Sequence, residues 1–274
     1  MIYSIASAPP LSYPGLLRWT KTILNAYSIR PSDRFGQNFV VKPQIIIDIL
    51  DCLLSFSCSR ILELGAGLGS LSYYLNAVCG STLSVEIDPK LARIVYNVVE
   101  NVKGSVINGD GLDFISTGLF HQFVSNTPYH LSGKIIAKLA SSNSIHGASL
   151  LVQKEVGDRL LAQPGDRDYG RLSIIGQLFF DASVKRFYPP SFFYPKPEVS
   201  GELICLRRKK SWDNKLHGKL EEVTACLFSG RNKIAYKQVS KCTGLPVMEL
   251  EWLSGIRIRE MTPWDIERLL EVYG

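Results

Sequence analysis

The stretch Ile61-Leu-Glu-Leu-Gly-Ala-Gly-Leu-Gly69 decides the fold. A short apolar run enters glycines at 65, 67 and 69, the pattern of a buried strand that turns sharply into a helix. Glycine tolerates the turn's backbone angles and lets a ligand approach the main chain closely. A dinucleotide fingerprint would place its third glycine at position 70, which is Ser70. Downstream, short apolar runs at 82–86, 105–108, 123–125 and 148–152 alternate with helix-like stretches at 70–77, 89–99, 134–140 and 154–162. Such alternation predicts an α/β fold with a parallel sheet covered on both faces.

Working outward from the glycine turn, acidic residues fall at two successive strand ends. Glu86 closes the second strand, 21 residues after Gly65, and is placed to accept hydrogen bonds from both hydroxyls of a ribose. Asp110 follows the third, where it could accept from the exocyclic amino group of adenine. Together the three strand ends suggest an adenosyl ligand, although each acid alone is an ordinary turn or cap residue. The fourth strand ends in Asn126-Thr-Pro-Tyr129. That turn offers an amide oxygen, a proline-fixed carbonyl and an aromatic face, which suit a planar amino group on a conjugated ring.

The remaining composition sets bounds. The chain has 274 residues, 46% hydrophobic and 20% charged, enough apolar material for a sizeable core. No apolar run reaches the ~18 residues of a membrane span, and no secretory leader is recognised at the start. Six scattered cysteines without a C-x-x-C pair predict reduced thiols, no metal site, and a soluble cytoplasmic protein. None of the four histidines has a neighbouring Cys or carboxylate in a recognisable triad, and His130, beside the Asn-Pro-Tyr turn, reads as packing more than catalysis. Net charge is +6, yet residues 207–241 alone carry +7, a footprint for a polyanion or a solvated helical face. After residue 208 the strand pattern gives way to helices at 215–229, 233–241, 246–254 and 263–273, following late strands at 184–188 and 202–207. The expected division is an N-terminal extension (1–30), a catalytic domain (31–208) and a basic helical domain (209–274).

Seven segments spread over the chain resemble the ribosomal RNA adenine N6,N6-dimethyltransferases. They are Arg34-Phe-Gly-Gln-Asn-Phe39, Glu63–Gly69, Val85-Glu-Ile-Asp88, Asn126-Thr-Pro-Tyr129, Gln153-Lys-Glu-Val156, Tyr169-Gly-Arg-Leu-Ser173 and Phe193-Tyr-Pro-Lys-Pro-Glu-Val199. Thr127 stands where the family usually has Leu, and His130-Leu-Ser-Gly133 also departs from its pattern. The resemblance implies a Rossmann-like class I methyltransferase sheet with a small C-terminal helical domain, using S-adenosyl-L-methionine. It implies that Asn38 and Val40 close over the cofactor, Gly65 lines its methionine end, Glu86 takes the ribose and Asp110 the adenine. Asn126 would lie beside the sulfonium and, with the Pro128 carbonyl, orient the target N6. Tyr129 and Phe193 would stack on the adenine. The implied substrate is small-subunit ribosomal RNA in the pre-small subunit, two adjacent adenines near its 3′ end; with no oligomer signal in the sequence, a monomer is the default expectation. Arg207, Arg208, Lys209, Lys210, Arg231, Lys233 and Lys237 are the expected phosphate contacts, with Arg159 and Arg171 behind them. A large-subunit resistance methyltransferase, a noncatalytic assembly factor on the same fold and a DNA or small-molecule adenine methyltransferase stay open as alternatives.

Overall fold

The computed structural model describes residues 8–32, 35–56, 58–127 and 131–273. Helix α1 (Gly15–Ala26) is followed by β1 (Phe39–Val40), α2 (Pro43–Leu54), β2 (Ile61–Leu64), α3 (Ser70–Cys79), β3 (Thr82–Glu86) and α4 (Pro89–Val99). Next come β4 (Ser105–Asn108), α5 (Leu112–Ile115), β5 (Gln122–Asn126), α6 (Ser132–Ser141), β6 (Gly147–Gln153) and α7 (Lys154–Leu161). Then α8 (Arg171–Phe179), β7 (Phe180–Tyr188), β8 (Phe193–Tyr194) and β9 (Gly201–Arg208) lead into α9 (Asn214–His217), α10 (Leu220–Phe228), α11 (Ala235–Thr243) and α12 (Pro263–Tyr273).

Seven strands form one sheet in the order β4-β3-β2-β5-β6-β9-β7. The first five are mutually parallel and β9 runs antiparallel to β6. The chain moves one way from β2 to β4 and the other way from β5, so the order reverses between β2 and β5. In open α/β sheets that switch point, at the carboxyl ends of the strands, is where ligands bind. Local chemistry explains the framework. All four residues of β2 are buried, as a central parallel strand requires. Helix α4 starts where Asp88 accepts from the Lys90 N–H at 2.9 Å and Pro89 takes the first turn. Helix α3 is entered through Gly69 at φ +83° and left through Gly80 at φ +71°. One face of α2 places Ile45, Ile46, Ile49 and Leu53 wholly out of water, each contributing about 1.5–3 kcal/mol before entropy is charged.

Three sequence expectations change here. The division at 208 is too simple: the chain forms one compact unit from residues up to 157 plus 183–208, and another from 158–182 plus 209 onward. The reason is local to the second unit, where the Tyr169 hydroxyl donates to the Met261 carbonyl at 2.7 Å and α8 packs on α10 and α12. The described part of the expected N-terminal extension, residues 8–30, belongs to the first unit. Within it, α1 buries Leu16, Trp19, Ile23 and Leu24 in the core of that unit. Finally, the helix expected over 215–229 is divided, α9 and α10 lying on either side of Gly218, and residues 247–253 form 3-10 turns.

The cysteines correct a further expectation, for all six are paired. Cys52–Cys205 ties α2 to β9, Cys58–Cys79 ties the approach to β2 to the end of α3, and Cys226–Cys242 ties α10 to α11. Their Cα atoms lie 6.1, 5.1 and 5.8 Å apart, inside the range a bridge needs. Partners 153, 21 and 16 residues apart leave no local spacing signature. Cross-links over such separations each stabilise by about 2–4 kcal/mol through the unfolded chain. Reduction is therefore expected to lower the melting temperature by more than about 10 °C. Thiol titration of the denatured, unreduced protein checks the premise: no reactive thiol is expected, and six would refute the pairing.

Candidate active site

A cavity opens at the switch point, over the carboxyl ends of β2, β3 and β5. Phe35, Asn38, Gly65, Glu86, Ile87, Asp110 and Asn126 are among the residues lining it. Its volume is about 90 Å³, and residues 35–38 form part of its wall. Gly65 and Gly67 sit at φ +78° and +62°, and a Cβ on Gly67 would lie 3.3 Å from the Phe39 ring. The turn therefore needs glycine for both backbone angle and space.

Glu86 is the anchor of this cavity. One carboxylate oxygen accepts the Gly67 N–H at 2.8 Å and the other the Asp88 N–H at 2.9 Å. Each oxygen keeps a further lone pair, which is what two vicinal hydroxyls require. Burial raises its pKa, the backbone donors only partly offsetting it. Beside it, the exposed Ile87 offers an apolar wall. Asp110, two residues before α5, accepts the Leu112 N–H at 2.9 Å. The Gln37 amide donates to Asp88 at 3.2 Å and ties the loop to the end of β3.

Asn126, at the end of β5, donates through Nδ2 to the Asn38 carbonyl at 3.0 Å. That bond fixes which way the amide faces and commits its nitrogen, leaving Oδ1 as the acceptor for an incoming N–H. Asn38 thus acts through its main chain on the Asn126 side chain, a contact between residues 88 apart that no local pattern reveals.

Two expected site residues lie elsewhere. Val40 and Phe193 are register partners in the β1–β8 pair. They are 6% and 4% exposed and belong to the hydrophobic core, with the Phe193 ring against Gly201. Neither is among the residues lining the cavity. Pro128, Tyr129 and His130 lie outside the described residues. Gln37, Phe35 and Ile87 were missed; Ile87's place between Glu86 and Asp88 was the available signal.

Beneath the cavity, Glu63 is buried in β2, accepting the Ser84 hydroxyl at 2.6 Å. Burial, only partly offset by hydroxyl hydrogen bonds, raises its pKa to about 7. A carboxyl whose folded pKa is raised favours folding below its unfolded value and loses that contribution as pH climbs through the folded one. Between pH 5.5 and 8.5 the wild type is expected to lose about 2 kcal/mol relative to Glu63→Gln. Urea unfolding of both at each pH reads this directly; a constant difference would show that Glu63 does not titrate there.

The basic candidates divide by environment. Arg208 is not a phosphate contact. Its guanidinium donates to the carbonyls of Ile145 (2.7 Å), Ser142 (2.9 Å), Ala140 (3.2 Å) and Leu139, closing the end of α6. Burial there lowers its pKa to about 10. Lys210 pairs with Glu267, which also takes His217 Nε2 at 3.0 Å, so this buried histidine does have a carboxylate partner, 50 residues away. Arg207, Lys233 and Lys237 are exposed, as are Arg159 and Arg171. Antiparallel backbone bonds from Ile258 to Lys233 and from Arg259 to Arg231 gather Arg231, Lys233, Arg257 and Arg259. Sequence reading named only the first two of these. Among the described residues no helix is long and apolar enough to cross a membrane.

Comparison with known proteins agrees with this geometry. A family model described as ribosomal RNA adenine dimethylase matches residues 30–263. A protein of Aeropyrum pernix is 34% identical over 212 residues, 76% of each chain. One of Pyrococcus furiosus is 29% identical over 266 residues, 92% of this chain and 96% of its own. Both carry the name "Probable ribosomal RNA small subunit methyltransferase A". The crystal structure of a dimethyladenosine transferase from Plasmodium falciparum superposes with a TM-score of 0.74 at 22% identity, covering 86% of this chain and 97% of that one. That likeness shows the fold alone. By the family match over residues 30–263, together with the 34% identical relative, this chain belongs to the ribosomal RNA adenine dimethylase family.

Proposed function

We propose that the protein transfers methyl groups from S-adenosyl-L-methionine to N6 of two adjacent adenines near the 3′ end of small-subunit ribosomal RNA. It yields N6,N6-dimethyladenine, and acts as a monomer on the pre-small subunit in the cytoplasm. The observation that carries this reading is the Asn126 amide, pinned by the Asn38 carbonyl in the same cavity as Glu86 and Asp110. The names of the relatives support the RNA substrate.

The residues present fit the cofactor: a buried carboxylate with spare lone pairs, a glycine turn without side chains, an acid at the next strand end and an apolar wall at Ile87. Bound there, S-adenosylmethionine supplies an electrophilic methyl group on a sulfonium. Glu86 would hold the ribose hydroxyls, Asp110 the adenine amino group, and Gly65 would leave room beside the methionine end. The Asn126 amide oxygen accepts an N–H of the target amino group and so turns its lone pair toward the methyl. By family resemblance the Pro128 carbonyl takes the other N–H and Tyr129 supports the ring. Positioning and fixed dipoles do the work, and no strong base is needed, because a methylated ammonium-like nitrogen loses its proton readily. Arg207 in one unit, and Arg231, Lys233, Lys237 and Arg257 in the other, are the proposed phosphate contacts.

Transfer of labelled methyl to undermethylated small subunits tests the substrate, with large subunits and naked RNA as controls. Label in small subunits alone is expected. Label in large subunits, or in none, would overturn the assignment.

A further inference from the structure

The second unit contains a cavity of its own, about 480 Å³ in volume, a size common for sites that hold small planar ligands. Gln163, Gln177, Asp181, Lys209 and Trp264 are among its lining residues. Trp264, near the start of α12, leaves 58% of its surface exposed, an unusual place for so large an apolar side chain. The Lys210 ammonium lies 5.4 Å from its ring centroid. Lys209 meets Asp181 at 3.3 Å, with 33% and 68% of the two side chains exposed, so this pair is weak and can be exchanged for a stronger anion. Both glutamines spend their amide nitrogens on the chain itself. Gln163 donates to the Leu161 carbonyl, and Gln177 to those of Leu160 and Ala162. Gln177 has only its acceptor left, and Gln163 keeps its acceptor beside one N–H.

An aromatic face, two amide acceptors and an ammonium in one concavity match the faces, edge and phosphate of a nucleotide. We propose that this cavity takes an unpaired nucleotide of the folded ribosomal RNA. The base stacks on Trp264, its N–H groups meet the Gln163 and Gln177 oxygens, and its phosphate displaces Asp181 from Lys209. Folded RNA presents such bases in loops and bulges, where aromatic stacking and edge contacts recognise them. The proposal rests on the ribosomal RNA reading above and adds a contact that performs no chemistry. It assigns Trp264 to substrate recognition.

The test uses the full chain as wild type, Trp264→Ala, Trp264→Phe and Asp181→Asn. Affinity for undermethylated small subunits is measured beside S-adenosylmethionine affinity and kcat at saturating subunit. Trp264→Ala is expected to weaken subunit binding about tenfold, with Trp264→Phe within about threefold of wild type. Asp181→Asn is expected to tighten it about twofold, because the phosphate no longer competes with a carboxylate. Cofactor affinity and kcat should stay unchanged. Equal binding by Trp264→Ala and wild type would overturn the proposal, as would equal losses in both tryptophan variants. Adenosine and uridine monophosphates at millimolar concentration should leave the complex intact; displacement would make this a free-nucleotide site instead. Ultraviolet crosslinking of the wild-type complex needs no variant to fold. A nucleotide adduct on the tryptic peptide 260–268 is expected, and adducts confined to other peptides would refute the assignment. A wild type that methylates small subunits while Trp264→Ala binds normally fails only this proposal. A wild type that neither binds nor methylates them overturns the ribosomal reading as well.

Discussion

Asn126→Ala is expected to lower kcat for methyl transfer by about a hundredfold to a thousandfold while small-subunit binding stays close to wild type. The amide oxygen of Asn126 is the described acceptor that can turn the target amino group, and its direction is set by the 3.0 Å bond from Nδ2 to the Asn38 carbonyl. Losing one preorganised polar group at a reacting centre typically costs that much. The alanine variant also leaves the Asn38 carbonyl without this donor, so the loop over the cavity should loosen. Binding of the subunit depends mainly on phosphate contacts and should not follow. Single-turnover methylation and subunit binding, measured on the same preparation, separate the two effects. Parallel loss of both would make Asn126 a structural residue.

The second large effect is expected at Glu86. Glu86→Ala should weaken S-adenosylmethionine binding by at least about a hundredfold, since two hydrogen bonds to a charged acceptor vanish together. The same carboxylate accepts the Gly67 and Asp88 N–H groups, so the glycine turn loses its tether too. Calorimetric titration reads the affinity, and kcat at saturating cofactor should fall much less than affinity does. A variant that binds cofactor normally would remove the ribose from Glu86 and undermine the orientation proposed for the ligand.

Residues whose position follows from strand ends were legible in the sequence. Gly65, Glu86, Asp110 and Asn126 all line the cavity, because a parallel sheet carries each strand's final residue to the same edge. What was not legible depends on partners distant along the chain. Val40 and Phe193 pair across 153 residues, and only that register shows them to be core rather than cavity wall. The charge of Arg208 is visible in the sequence, whereas the four carbonyls that consume it are not. Cys52 and Cys205, also 153 residues apart, are joined for the same kind of reason. Their pairing accords with a cytoplasmic role only in cells whose interior sustains disulfides, as hyperthermophile interiors do. The segment 171–179 was passed over as a helix because its apolar residues run nearly unbroken into the strand that follows.

The central claim is that this cavity brings a methyl donor to the amino group of adenine. Its most direct test is the identity of the product nucleoside, after exhaustive reaction of undermethylated small subunits with labelled S-adenosylmethionine and complete digestion of the RNA. The account predicts that the label appears as N6,N6-dimethyladenosine, with N6-methyladenosine as the transient precursor. Label on any other base, or on an adenine atom other than N6, would contradict it.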